Sequence, residues 1–292
     1  MPVLSSLTLA KRAVLATMRE LGPRVYTTQE LVRLLDAHRV EWRVASRISG
    51  RAFTEFLQIN GELRSVVLRS PTGRNDIRYS WGEPQPYALA KSLRPKAYLS
   101  HASAMFFHGL TDQIPKSFYL NEEQTPKPKP TVAPTQETID YAFKSEQRAS
   151  KTIFAWNEYR YVFLSGKQTG NYGVMDAVGP AKESLKATDL ERTLVDITVR
   201  PAYAGGVHEV AKAYSGAVGR VSLQKLQATL RNLDYIYPYH QAVGFYLERA
   251  GVAQEALTPF RKMGLEVNFY LAHKMHNPIL DPSWRVYFPE GL

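Results

Sequence analysis

Residues 43–81 read RVASRISGRAFTEFLQINGELRSVVLRSPTGRNDIRYSW. Arg43, Arg47, Arg51, Thr54 and Gln58 recur at helical spacing and are expected to share one polar face. Ile48, Ala52, Phe56 and Leu57 fall largely on another, which suits burial. Ser49-Gly50 leaves the start of the helix open within 42–59, and Asn60-Gly61 ends it. Residues 63–68 and 77–81 then have strand character, joined by the turn-rich Pro71-Thr72-Gly73-Arg74-Asn75-Asp76. Arg69, Arg74 and Arg78 decorate this predicted hairpin.

The segments before it complete a pattern. Residues 7–21 place Ala10, Val14, Leu15, Met18 and Leu21 on one helical stripe, stopped by Gly22-Pro23. Thr27 and Glu30 have the spacing of a capping box, opening a helix to about residue 37 that buries Leu31, Leu34 and Leu35. Three helices followed by a hairpin is the order of a winged helix-turn-helix. In that reading Arg47, Arg51, Thr54 and Gln58 are candidates for reading DNA bases, and Arg43, Arg69, Arg74 and Arg78 for holding phosphates. The alternative reading of a charged helix face is simple solvation; the arginine-bearing hairpin favours nucleic acid.

Charge points the same way. The 292 residues carry a net charge of +10, with a pI near 9.6. Residues 1–90 hold 13 Lys and Arg against 8 Asp and Glu, and twelve of those 13 cations are arginine. Arginine offers a planar fork that matches phosphate and guanine. A hydrophobic content of 44%, with 17 Tyr and 12 Phe, is that of a chain with a real core. The sequence has no cysteine, which excludes disulfides, thiolate catalysis and cysteine-ligated metals. No apolar run reaches the ~18 residues needed to span a bilayer, and the first residues do not form a signal peptide. A cytoplasmic protein, nucleoid-associated when bound to DNA, is expected.

The length predicts two domains, 1–90 and 91–292, with a boundary near 82–86. In the second, residues 98–111 read as a helix capped by Ser100 and stopped by Gly109. Residues 117–120 read as a strand, and the Pro- and Lys-rich 124–134 as an exposed loop. A helix is expected in 136–148, and a hairpin at 152–156 and 159–165, turned at Asn157-Glu158. After Gly166 the chain reads as mainly helical, with helices at 187–198, 206–215, 222–233, 238–250 and 254–263. Late strands are expected at 267–272 and 284–288. The fold class is α+β, a winged helix followed by a larger mixed domain that is mostly helical after residue 187.

Chemistry-bearing clusters in this part are sparse. His101 and His108 lie seven apart, without the spacing of a metal pair, and read as structural histidines; His273 and His276 are no stronger. Asp189, Glu191, Arg192 and Asp196 fit a local ion-pair network along one helix, better than a metal site. Gly205-Gly206 reads as a tight turn. No Walker, G-x-S-x-G or H-E-x-x-H motif occurs. No metal, cofactor or catalytic residue is expected, and Tyr235, Tyr237, Tyr239 and Tyr246 suit a core as well as a pocket.

Two blocks nevertheless have a recognisable character. YLSHASAMFFHGLTDQIPKSFYL at 98–120 and ATDLERTLVDITVRPAYAGGVHEVAKAY at 187–214, with GFYLERAGV at 244–252 as a weaker third, resemble the AbiEi family of bacterial antitoxins. The likeness lies in Ser100, His101, Ser103, Ala104, His108, Gly109, Leu110 and Thr111, then in Glu191 to Asp196, Arg200-Pro201 and Gly205-Gly206. The resemblance implies a winged-helix autorepressor that binds inverted repeats in its own promoter, two copies to a site. It also implies a cognate nucleotidyltransferase-like toxin as the target of neutralisation, by direct contact or indirectly. A ligand-sensing winged-helix regulator and a nucleic-acid-processing enzyme are the alternative readings; the antitoxin reading is not enzymatic.

Overall fold

The computed structural model describes residues 5–128 and 132–292. Residues 129–131 of the expected Pro-Lys loop lie outside the described residues, and 124–128 carry no helix or strand. The chain is mixed α and β, with eleven α-helices and three sheets among the described residues. It divides into two compact units. The first takes the chain up to Lys96 together with Ile153–Tyr161 and Gly179–Glu183, and the second takes the rest.

The first unit contains α1 (Ser6–Leu21), β1 (Arg24–Tyr26), α2 (Thr28–His38), α3 (Gly50–Asn60), β2 (Leu63–Leu68), β3 (Asp76–Trp81) and α4 (Pro86–Leu93). Local chemistry starts each helix. Ser5 caps α1, accepting from the Thr8 N–H. Thr27 and Glu30 form the expected capping box on α2, a device that contributes on the order of 1 kcal/mol. Ser49 caps α3, accepting from the Ala52 N–H. Leu7, Val14, Met18, Leu31, Leu35, Phe53, Leu57 and Leu63 form one buried core with Trp42 and Trp81. The sheet runs β1-β3-β2, antiparallel throughout. β1 is only three residues long and lacks the alternation that marks a strand in sequence. Helix α4 begins at Pro86, the end of the expected boundary, and has no counterpart among the elements expected from sequence.

The second unit follows with β4 (Tyr98–Leu99), α5 (His101–Phe107), β5 (Ser117–Glu123) and α6 (Gln136–Lys144). Next come β6 (Ile153–Trp156), β7 (Tyr159–Gly166), β8 (Val174–Val178), β9 (Ser184–Thr188) and α7 (Leu190–Val199); β6 and the start of β7 are counted with the first unit. The chain closes with α8 (Val207–Ala217), α9 (Leu223–Leu233), α10 (Tyr239–Arg249), α11 (Gln254–Arg261), β10 (Phe269–Tyr270), β11 (Ile279–Asp281) and β12 (Val286–Phe288). The large sheet has the order β6-β7-β5-β4-β9-β8, and the small one β10-β12-β11.

Two expectations are corrected here. The single helix expected at 98–111 is a short strand followed by a helix of seven residues; both pieces are apolar, so periodicity cannot separate them. The stretch after Gly166, expected to be mainly helical from there, opens with the β8–β9 hairpin. The core of this unit gathers on α7 and α10, where Leu194, Val195, Ile197, Val243, Phe245 and Leu247 are buried. Trp284 packs against α10 at Gly244, where a Cβ would stand 2.1 Å from the indole.

Candidate nucleic-acid interface

The polar helix face divides once the helix start is fixed at Gly50. Arg43 and Arg47 precede α3 and lie in irregular chain, so they do not continue its face as their spacing predicted. Arg43 has a left-handed backbone, φ 55°. The connection is held from behind by Arg39. Its guanidinium donates to the carbonyls of Ala45 at 2.8 Å and Ile48 at 3.2 Å. Trp42 and Val44 are buried beside it. The side chains of Arg43 and Arg47 remain exposed, with no hydrogen bond or ion pair among the described residues.

On α3 itself, Phe53, Thr54 and Leu57 face the core. Thr54 is a base-reading candidate that the structure turns inward: it is 6% exposed, and its Oγ1 donates to the Gly50 carbonyl at 2.9 Å. A threonine in mid-helix often satisfies its hydroxyl this way. The exposed stripe is Arg51, Glu55, Gln58 and Ile59. Arg51 is 88% exposed and pairs with Glu55 at 2.8 Å, Nε to Oε1. Gln58 donates to Ser65 Oγ on β2 at 2.7 Å, linking the helix to the hairpin. Glu55, which the arginine pattern passed over, sits in the middle of the stripe.

The hairpin arginines also separate. Arg69 and Arg74 are exposed, without ion-pair partners among the described residues. The Arg69 backbone is paired with Ala155 through bonds of 2.8 and 2.7 Å, which fixes that end of β2. Arg78 is engaged within the protein. Its guanidinium donates to the Ser92 carbonyl at 3.2 Å and to its neighbour Ile77 at 2.9 Å, and only 12% of its side chain is exposed. Its phosphate role is replaced by one of anchoring β3 to the end of α4.

The residues of the two C-terminal blocks come together. His108 Nε2 donates to the Thr188 carbonyl at 2.7 Å, tying α5 to β9. Gly109 follows with φ +63°, the left-handed stop its sequence predicted. Gly205 and Gly206, at φ 90° and 98°, open α8. Asp189 caps α7 through the Arg192 N–H at 2.8 Å. Arg192 Nε meets Asp196 Oδ1 at 2.8 Å, with side chains 3% and 6% exposed. Burial pushes the Asp196 carboxyl above its usual range, opposed by the adjacent guanidinium. Glu191 joins that network through Lys225, which also pairs with Asp189 at 3.1 Å. It pairs with Lys225 of α9 at 2.8 Å and accepts from the Ser222 N–H at 3.0 Å.

Ser100 does not cap α5 by its side chain; its hydroxyl lies 2.9 Å from His101 Nδ1. His101 is buried, with φ 51°. A cavity of about 190 Å³ is lined by His101, Asn121, Lys167, Arg192, Asp196 and Arg200, among others. Among the described residues no three His, Asp or Glu side chains gather as a metal site. No helix among them is long and apolar enough to cross a membrane.

No family model matches the chain, and no curated protein matches it. Its fold is similar to that in the crystal structure of the RV2827C protein from Mycobacterium tuberculosis, with a TM-score of 0.57. The likeness covers 96% of this chain and 91% of that one at 18% identity. At that identity it is a likeness of fold. The likeness takes in residues of both units.

Proposed function

We propose that the first unit is a winged helix-turn-helix that binds duplex DNA, with α3 as its recognition helix and the β2–β3 hairpin as its wing. The observation that carries this reading is the exposure of Arg51 and Gln58 on α3 and of Arg47 in the chain leading into it, with Arg69 and Arg74 exposed on the hairpin that follows. A helix of this kind reads base edges in the major groove, while a wing holds backbone phosphates. Arg51 is held by an exposed partner, Glu55, and exposed pairs of this type are cheap to break. Guanine or phosphate can therefore replace the carboxylate.

The protein as a whole is, in this reading, an AbiEi-like antitoxin that represses its own operon and counters a nucleotidyltransferase-like toxin encoded beside it. The two motif blocks support it. They lie 67 residues apart in sequence, from Leu120 to Ala187, yet meet through His108 and Thr188.

Fluorescence anisotropy with the protein's own promoter duplex tests the first part. The full chain is expected to bind with steep salt dependence, and Arg47→Ala/Arg51→Ala to weaken promoter binding at least ~10-fold, as loss of a bidentate base contact does. Equal binding by the variant and the wild type overturns the assignment of α3. Growth on co-expression with the adjacent gene product tests the second part: a toxic neighbour that the full chain does not silence refutes the antitoxin reading.

A further inference from the structure

The cavity at His101 has an unusual charge balance. Arg192 Nε is taken up by Asp196. Arg192 Nη1 is also occupied, donating to the Tyr172 carbonyl at 2.9 Å and to Thr169 Oγ1 at 3.3 Å. Its Nη2 has no protein partner among the described residues. Lys167 donates to the Leu233 carbonyl at 2.8 Å and stands 3.9 Å from the Asp234 carboxylate. Arg200 is different. It is half-buried, and its guanidinium makes no hydrogen bond or ion pair among the described residues. The interaction it does make is with the ring of Tyr203, at 5.9 Å. A half-buried guanidinium with no anion beside it is free to donate a charge-assisted hydrogen bond to an anion that enters the cavity.

His101 adds a neutral donor to the same wall. Burial, with the nearby charges of Arg200 and Arg192, pushes the imidazole down to about 3, so it is uncharged at neutral pH. Its Nδ1 is held by Ser100, and Nε2 has no partner among the described residues. When the Ser100 hydroxyl donates to Nδ1, the tautomer is fixed with the proton on Nε2. The left-handed backbone at His101 is a modest strain, of the kind found where a side chain is aimed for a purpose.

We propose that this cavity is a binding site for a small oxyanion, a phosphate or carboxylate group, held by Arg200 and Arg192 Nη2 with His101 Nε2 as a third donor. A guanidinium fork recognises such groups by paired, charge-assisted hydrogen bonds. The volume of about 190 Å³ admits a phosphate with a short appendage; it is well below the range of sites for drug-sized ligands. The inference stands on the second unit alone and is independent of the DNA-binding reading.

The experiment is titration of the full chain with inorganic phosphate and, separately, succinate, at constant ionic strength against chloride. Thermal unfolding and the side-chain nitrogen resonances of the histidines are the readouts. A saturable rise in Tm with either anion is expected, together with a shift of His101 Nε2. Arg200→Gln is expected to weaken binding at least ten-fold, while Arg148→Gln, an exposed control in the same unit, leaves it unchanged. Response to phosphate alone assigns a phosphate ester, to succinate alone a carboxylate, and to both a general oxyanion site. No saturable effect beyond chloride means that the cavity takes only water, and the proposal fails. It fails equally if Arg200→Gln binds as the wild type does. Should Arg200→Gln not fold, the His101 resonance in the wild type decides: no shift at saturation overturns the proposal.

Discussion

Arg47 and Arg51 reach solvent from different kinds of backbone, and Thr54 does not reach it. That residue-level sorting narrows the proposed base readers to Arg51 and Gln58 on α3 and Arg47 just before it, and makes Glu55 a competitor for Arg51. The arginine pair is tested by the promoter assay above. His101 gives a second residue-level prediction, through pH. Its native pKa of about 3 lies below the ordinary 6.5. Between those values the unfolded chain binds a proton that the native chain does not, so this contribution to stability is complete above pH 6.5 and is lost as pH falls toward 3. One such proton gives a slope of about 1.4 kcal/mol per pH unit. His101→Asn keeps a short polar side chain tolerant of positive φ. Urea unfolding of this variant between pH 6 and pH 4 is expected to show a shallower fall in stability than the wild type, by about that slope. Parallel curves contradict a buried neutral imidazole.

Helix α3 owes its position to one close approach. A Cβ on Gly50 would meet Val32 Cγ2 of α2 at 2.4 Å, so only glycine lets the two helices touch there. Gly50→Ala is expected to cost roughly 1–3 kcal/mol by overpacking and to weaken DNA binding by displacing α3. Adding Val32→Ala opens the contact and is expected to recover most of that loss in urea unfolding; a double variant no better than the single one removes this account. Elements whose signals are local were legible in sequence: the Thr27–Glu30 box, the Asn60-Gly61 stop, the Asn157 turn and the helices from α7 to α11. Elements that exist through pairing were not. β1 is three residues recruited by β3, and β8 carries exposed Met175 and Val178, which give no alternation to read. The site divides likewise. The exposed arginines were visible as residue types, whereas the cavity needs Arg192 and Arg200 beside Lys167 and His101, a grouping made by packing of segments far apart in sequence.

At the scale of the whole molecule, charge sets how binding responds to salt. The chain carries +10, but net charge alone does not release counterions at a duplex; exposed, unpaired cations placed against phosphates do. The first unit already uses several of its arginines internally: Arg39 holds carbonyls, Arg64 pairs with Glu83, and Arg78 is tied to Ser92. Of the candidate arginines, Arg43, Arg47, Arg51, Arg69 and Arg74 stay exposed and are the ones proposed to meet DNA. Arg43 and Arg74 lie outside the exposed stripe of α3 and are assigned to phosphates. Arg43→Ala/Arg74→Ala is therefore expected to reduce the slope of log K against log salt by about 0.9 per lost contact in each bound copy. It is also expected to weaken promoter and random duplexes alike, because phosphate contacts carry no sequence information. Arg47→Ala/Arg51→Ala should instead lower the ratio of promoter to random binding. Anisotropy titrations of both double variants at several salt concentrations separate the two effects. An unchanged slope on removing Arg43 and Arg74, or a change in sequence preference, places the phosphate contacts elsewhere in the unit.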